Sequence, residues 1–397
     1  MAQIDEKIKQ SIDKMGRTIK YKVEVLTPVH IGSGYMLPRN TELLVSNDQK
    51  QIGVIDIVKT SKLVGDKMKD WIDNINRGLS VLQFLKSFEG FNIKDYSKRI
   101  ISNPTIQLDD KYDKQIKEQL FLANGSPVIP GSSFKGSFRT AIFNQLIEKK
   151  HIDLKKIHYK DKRGNVKFSD KYLIEKIFGS DPKSDTFRFI NATDATFNVK
   201  TQLTKTKIIN LNDYGWTIDN RKSQLVEVIP PGSKSEISIT IADKLYEYNS
   251  EKEYIITETG FLQSYDALFQ NIREHTIFMI SDEIEFINNK ILPEMERRAE
   301  KHIYKFSGHL EELLEKAENL DSNSVILRLG FGSGWTFMTS GWIKDKDLIE
   351  REEDYNKIIK SIRDRKNRHY SNNIPFPKTR NLLIGGVPLG FVKLSYV

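Results

Sequence analysis

The stretch Pro127-Val128-Ile129-Pro130-Gly131-Ser132-Ser133-Phe134-Lys135-Gly136-Ser137-Phe138-Arg139 joins a proline-stiffened approach to a helix start carrying two cations one turn apart. Prolines fix φ on the way in, Gly131 and Gly136 let another backbone come close, and Ser132 or Ser133 supplies a helix cap. The helix continues through Phe138, Ile142, Phe143 and Leu146. Free N–H groups at its start, with Lys135 and Arg139 on one face, suit a phosphate oxygen. Taken alone, the segment reads equally as a surface helix reached through a Pro-Gly turn.

Upstream, Thr18 to Leu26 alternates polar and apolar residues and runs into Thr27-Pro28-Val29-His30-Ile31-Gly32-Ser33-Gly34, so a strand ends in a glycine turn. Ile4 to Met15 has the spacing of a short amphipathic helix, and 51–57 reads as a second strand. From about 58 to 101 the apolar spacing turns helical, which predicts a helical insertion. Downstream, strands are expected at 186–191, 206–211, 224–229 and 236–241, the last two as a hairpin around Pro230-Pro231-Gly232-Ser233. Long amphipathic helices follow over 261–319, broken at Pro293. The strand at 325–329 then meets Gly330-Phe331-Gly332-Ser333-Gly334, a charged helix is expected over 347–363, and Pro388 to Leu394 closes the chain as a strand. Strands scattered among helices and hairpins predict an α+β fold rather than a βαβ ladder.

The chain has 397 residues, which suggests two domains, 1–250 and 251–397. No apolar run approaches a membrane span, and Met1 to Lys7 holds no signal core, so a cytoplasmic location is expected. The absence of cysteine excludes disulfides, thiolate metal sites and cysteine nucleophiles. A formal charge of +9 favours polyanionic partners. Basic residues crowd 149–171 and 357–368, with Tyr159, Phe168, His369 and Tyr370 interleaved as rings that can stack on bases.

Several chemistries fail on spacing. Lys135 precedes the second glycine of its loop, the reverse of a nucleotide-binding phosphate loop, and the 330–334 glycines lack the last glycine of a dinucleotide fingerprint. The pairs His151/His158 and His302/His309 are not spaced as a helical zinc pair, so neither metal nor cofactor is expected. Asp194 and Asp213 lie near strand ends, as turn formers or as groups acting on a 2′-hydroxyl. His30 is the sharpest acid–base candidate, because its ordinary pKa is near neutral and glycines flank it; no matched second group accompanies it.

Together, the segments 26–34, 129–139 and 329–334, with Pro377-Lys378-Thr379-Arg380 and Pro388-Leu389-Gly390-Phe391-Val392, resemble the RAMP superfamily of CRISPR-associated RNA-binding proteins, and within it subunits of the type III-A Csm complex. The resemblance implies two ferredoxin-like, RNA-recognition-type domains, and a subunit that caps the crRNA 3′ region and supports crRNA maturation without being the main nuclease. Its implied partners are crRNA, target RNA, the other Csm subunits, above all the repeated backbone subunit, and host nucleases. Carried over by motif, the RNA-binding positions are His30, Gly32, Ser33 and Gly34; Gly131, Ser132, Ser133, Lys135 and Arg139; Gly332 and Gly334; and Lys378 and Arg380. A guide must leave its base edges free, so contact through phosphates and sugars is expected. Two further readings stay open: a metal-independent endoribonuclease using His30, and a protein scaffold whose basic clusters only solvate it.

Overall fold

The computed structural model describes residues 17–147, 157–160, 162–164, 166–212, 215–242, 260–295, 297–338 and 377–397, with the single positions 341 and 359. Lys149, Lys150, Lys155 and Lys156, the cations of the 357–368 cluster, the helices expected at 4–15 and 347–363 (save the single position 359), and Asp213 lie outside the described residues.

The first strand, Arg17–Val25, alternates as its sequence does: Tyr21, Val23 and Val25 are buried while Lys20 and Lys22 are exposed. It lies in the middle of a five-stranded sheet in the order Ile190–Ala192, Lys234–Ile241, Arg17–Val25, Phe391–Tyr396, Ser324–Arg328. Every neighbouring pair is antiparallel, with Tyr21 opposite Ile237 on one side and Val23 opposite Leu394 on the other. Two helices, Gly131–Ile147 and Tyr265–Phe286, bring Phe134, Phe138, Ile142, Phe269 and Ile272 onto the face that carries Tyr21, Val23 and Val25. In chain order these elements run strand, helix, strand, strand, helix, strand, with Ser324–Arg328 as an added edge.

A second, eight-stranded sheet is built around the long hairpin Gln202–Asn212 and Gly215–Val228. Gly32–Pro38 and Gln115–Gln119 continue it beyond one arm; Ser97–Ser102, Gln51–Ile55 and Leu43–Val45 continue it beyond the other, where Thr379–Leu383 also pairs. The helix Tyr265–Phe286 ends in a π turn, Ile287–Ile291, and a short 3-10 turn containing Pro293, then folds back as Arg297–Glu318. This helical pair and the large sheet enclose a second core of Ile209, Trp216, Ile280, Ile303, Phe306, Leu310 and Leu382.

The mixed α+β class is as expected from the sequence, but its arrangement differs in three respects. The strand ending at Val228 pairs with Gln202–Asn212, while Lys234–Ile241 joins the small sheet, so Pro230 to Ser233 carries the chain between sheets instead of closing a hairpin. Strands from both sides of residue 250 share each sheet, so that boundary separates no layer. In place of two equivalent units, the described residues hold one strand-helix-strand-strand-helix-strand sheet and one larger mixed sheet. The helical insertion occupies Ile57–Leu85 around Trp71, Val81 and Leu85, and gives way to a sheet strand at Ser97.

Candidate nucleic-acid interface

Where the first strand ends, three distant segments are stitched together by their main chains. Leu26 and Thr27 N–H donate to the Phe391 carbonyl at 2.9 and 3.2 Å, Gly390 N–H donates to the Pro28 carbonyl at 3.0 Å, and Phe331 N–H donates to the His30 carbonyl at 2.9 Å. Gly330 takes φ +79, and a Cβ there would stand 2.5 Å from the His30 carbonyl oxygen, so only glycine permits this approach. The late glycine turn and the 26–31 segment therefore meet at one end of the small sheet, whereas Gly32, Ser33 and Gly34, expected as a turn, begin the strand Gly32–Pro38 of the large sheet, whose register shifts between Gly32 and Met36. Gly34 and Gly334 also take positive φ and are exposed with open space beside them; Gly332 is closed off by Leu389.

Beneath the late turn lies Arg328, whose importance the sequence did not signal. Its guanidinium donates to the carbonyls of Leu389 at 3.0 Å and Gly332 at 3.2 Å, between the rings of Phe337 and Phe391 at 4.5 and 5.0 Å. Burial pulls its pKa down to about 10. The Arg328 carbonyl accepts from Ser137 Oγ at 3.2 Å, which ties the helix beginning at Gly131 to the same assembly.

His30 is 3% exposed, and its Nδ1–H donates to the Glu227 carbonyl at 2.7 Å, leaving Nε2 as the acceptor. Burial, helped by nearby Lys117, lowers its pKa to about 4 against a small opposing effect of that hydrogen bond. The expected acid–base role does not fit this site: the ring is sealed, neutral near pH 7, and holds the turn in place. Glu227 is itself fully buried and accepts from Arg99 at 3.1 and 2.9 Å, Thr201 Oγ1 at 2.6 Å and the Gln119 N–H at 3.3 Å. Arg99 also reaches Glu118 at 3.0 Å, and Glu118 accepts from Ser33 Oγ at 2.9 Å, so the network extends to the start of the strand Gly32–Pro38.

The helix start differs from its sequence reading in detail. Gly131 is the first helical residue, and its N–H donates to Asp194 Oδ1 at 2.8 Å, so a carboxylate from another segment caps the helix in place of Ser132 or Ser133. A Cβ on Gly131 would lie 1.9 Å from the Ala192 carbonyl; this glycine serves packing on a strand and not the approach of a ligand. Ser132 remains exposed and Ser133 half-buried at the helix start.

Arg139 is committed inward. Its Nη1 donates to both Asp185 oxygens at 3.0 and 2.9 Å, and the guanidinium stacks 4.1 Å from the Phe178 ring. Lys135, by contrast, has neither a hydrogen bond nor an ion pair among the described residues. Partial burial and the neighbouring Arg139 lower its pKa, with Asp185 opposing. Lys135 lines a cavity of about 440 Å³ with Arg139, Lys171, Asp185 and Arg188.

Near the C-terminus, Arg380 is also inward: Nε donates to Glu283 at 2.5 Å, the Pro377 carbonyl accepts from Nη1, and Phe286 packs under the guanidinium at 4.3 Å. It joins strand to helix and does not present itself to RNA. Lys378, one step before the strand Thr379–Leu383, is half-buried. The surface thus retains Lys135, Lys378, Ser33, Ser132, Gly32, Gly34 and the late glycine turn from the expected set, while His30, Gly131, Arg139 and Arg380 build the support beneath it.

Comparison with known proteins follows the same lines. The chain is 24% identical to the CRISPR system Cms protein Csm5 of Methanocaldococcus jannaschii, over 96% of this chain and 90% of that protein. Its fold is similar to that of a chain in a cryo-EM structure of a Csm–crRNA–target RNA ternary complex of a type III-A CRISPR-Cas system, with TM-score 0.68 and 21% identity, covering 96% of this chain and all of that one. A crystal structure of T. onnurineus Csm5 is similar with TM-score 0.60 and 18% identity over 94% of this chain and 99% of that chain. The RAMP superfamily model matches residues 22–381, a span that holds the end of the first strand, the 26–34 and 329–334 segments, the helix with Lys135 and nearly all of the large sheet. The chain belongs to the RAMP superfamily.

Proposed function

We propose that this protein is the Csm5-type subunit of a type III-A CRISPR effector, which binds crRNA without cleaving it, caps its 3′ region and supports its maturation. The reading rests on the meeting of the 26–31 segment and the 329–334 turn with the helix from Gly131 at one end of the small sheet. Likeness to Csm5 proteins along almost the whole chain supports it. The strand-helix-strand-strand-helix-strand order of that sheet is read as a ferredoxin-like unit. Open glycines and exposed main chain favour contact with ribose and phosphate, and Lys135 supplies a cation whose lowered pKa a phosphate would restore. Partners are the other Csm subunits, with target RNA paired to the guide they share.

A tagged copy expressed in its own cells should carry small RNAs of uniform guide-like length together with several related subunits. Lys135→Ala should weaken binding of single-stranded RNA by the full-length protein and flatten the log–log salt slope by about 0.7. Recovery of neither RNA nor related subunits would sink the proposal.

A further inference from the structure

Beside Ser33 on the large sheet is a cleft of about 550 Å³ lined by Ser33, Lys98, Arg99, Glu118, Phe121 and Asn124 among others. Its size is that of an ordinary small-ligand site. Inside it, the Arg99 guanidinium carbon lies over the Phe121 ring, 4.3 Å from its centre. That guanidinium is pinned from behind by Glu118 and Glu227, which fixes its orientation and neutralises it. Two carboxylates against one guanidinium leave this floor no spare positive charge for a phosphate. A flat uncharged body can instead extend the stack of ring and guanidinium, as unpaired bases do on aromatic and arginine planes. At the rim the charge is different: Lys98 is exposed, and Ser33 stands beside the open Gly34. The cleft therefore sets a ring and a guanidinium against each other among polar neighbours, with a cation at its rim, an arrangement that fits a nucleotide entering base first.

We propose that this cleft receives one unstacked nucleotide of the bound RNA, its base against the Phe121–Arg99 stack and its phosphate beside Lys98. This deepens the RNA-binding reading and rests on it. The cleft lies on the large sheet, away from Lys135, so the two contacts can be removed separately. A base held there is withdrawn from pairing, which marks one fixed position of the strand without reading its identity.

The test uses the full-length protein and a fluorescein-labelled single-stranded RNA in which each nucleotide in turn is replaced by an abasic one. Phe121→Leu keeps an apolar side chain but loses the ring; Ala123→Trp fills the cleft from its exposed wall without touching the core. Each variant should bind intact RNA about tenfold more weakly with an unchanged salt slope, and Lys98→Ala should flatten that slope by about 0.7. At one RNA position the abasic substitution should cost the wild type about tenfold and the two cleft variants nothing further. Equal abasic penalties in all three proteins at every position overturn the inference, as does wild-type affinity in Ala123→Trp. If Lys135→Ala still weakens binding in that case, the RNA-binding reading survives and only the cleft is lost; if intact RNA does not bind the wild type at all, both fall.

Discussion

Arg139→Ala separates two accounts of the same residue. In the sequence it sits one turn after Lys135, placed to meet a phosphate; in the structure it grips Asp185 through both oxygens and lies on Phe178. Both side chains of the pair are 28% exposed, so solvent weakens the ion pair only in part. Charge-assisted hydrogen bonds contribute about 1.5–3 kcal/mol and the partly shielded cation–π contact about 0.5–2 kcal/mol. Asp185 keeps the Phe187 N–H at 2.8 Å after the substitution, which limits the penalty of stranding it. The expected loss is about 2–4 kcal/mol in stability, and urea unfolding followed by tryptophan fluorescence reads it. A cycle with Asp185→Asn should give coupling of about 1–3 kcal/mol between the two positions. RNA affinity measured well below the unfolding midpoint should keep its wild-type salt slope, whereas Lys135→Ala flattens it. An Arg139→Ala protein of unaltered stability with a flattened slope would show that the arginine faces RNA and that its pairing with Asp185 is immaterial.

Removing Glu227 leaves Arg99 with Glu118 alone and strands the Thr201 hydroxyl, so Glu227→Ala should lose about 2–4 kcal/mol in urea unfolding, part of which Arg99→Met in the same chain restores. Gly131→Ala drives a Cβ into the Ala192 carbonyl and should lower the thermal midpoint through about 1–3 kcal/mol of strain; an unchanged midpoint would mean the helix start can shift freely. Burial lowers His30 and His275 from 6.5 to about 4 in the folded chain, so both are neutral when folded and protonate first when unfolded. Their contribution is complete above pH 6.5 and drains away as pH falls toward 4, on the order of 2–3 kcal/mol for each ring. His275→Leu should flatten a stability profile measured over that window, and a profile that keeps its steepness would contradict the assignment.

Alternation and turn chemistry made the first strand, the helix from Gly131, the long helices broken at Pro293 and the late glycine turn readable in the chain, whereas the turn expected at Gly32 to Gly34 is a strand held by Gln115–Gln119. These are signals carried by neighbours in sequence. What escaped was every feature set by partners far along it. Asp185 lies 46 residues from Arg139, Asp194 lies 63 from Gly131 and Glu283 lies 97 from Arg380, so cations that look available are already engaged. The hairpin assigned around Pro230 failed because the strand ending at Val228 closes a hairpin with the strand just before it, Gln202–Asn212, while Lys234–Ile241 pairs with the distant Arg17–Val25. Arg328 gave no cue at all, because a lone arginine in an apolar strand reads as a solvent-facing position until the rings that enclose it are known.

The first strand is clasped on one side by Phe391–Tyr396, among the last residues of the chain. A ribosome must therefore make more than 360 further residues after the first strand before that edge is covered, and until then an alternating strand with unpaired amides stands ready for any other extended segment. Chaperone capture, or prompt docking onto a partner while the tail is still emerging, would shelter it. Charged substitutions that break the Phe391–Tyr396 strand should then be felt first as clumping during synthesis, well before any change in the mature molecule's grip on its ligand.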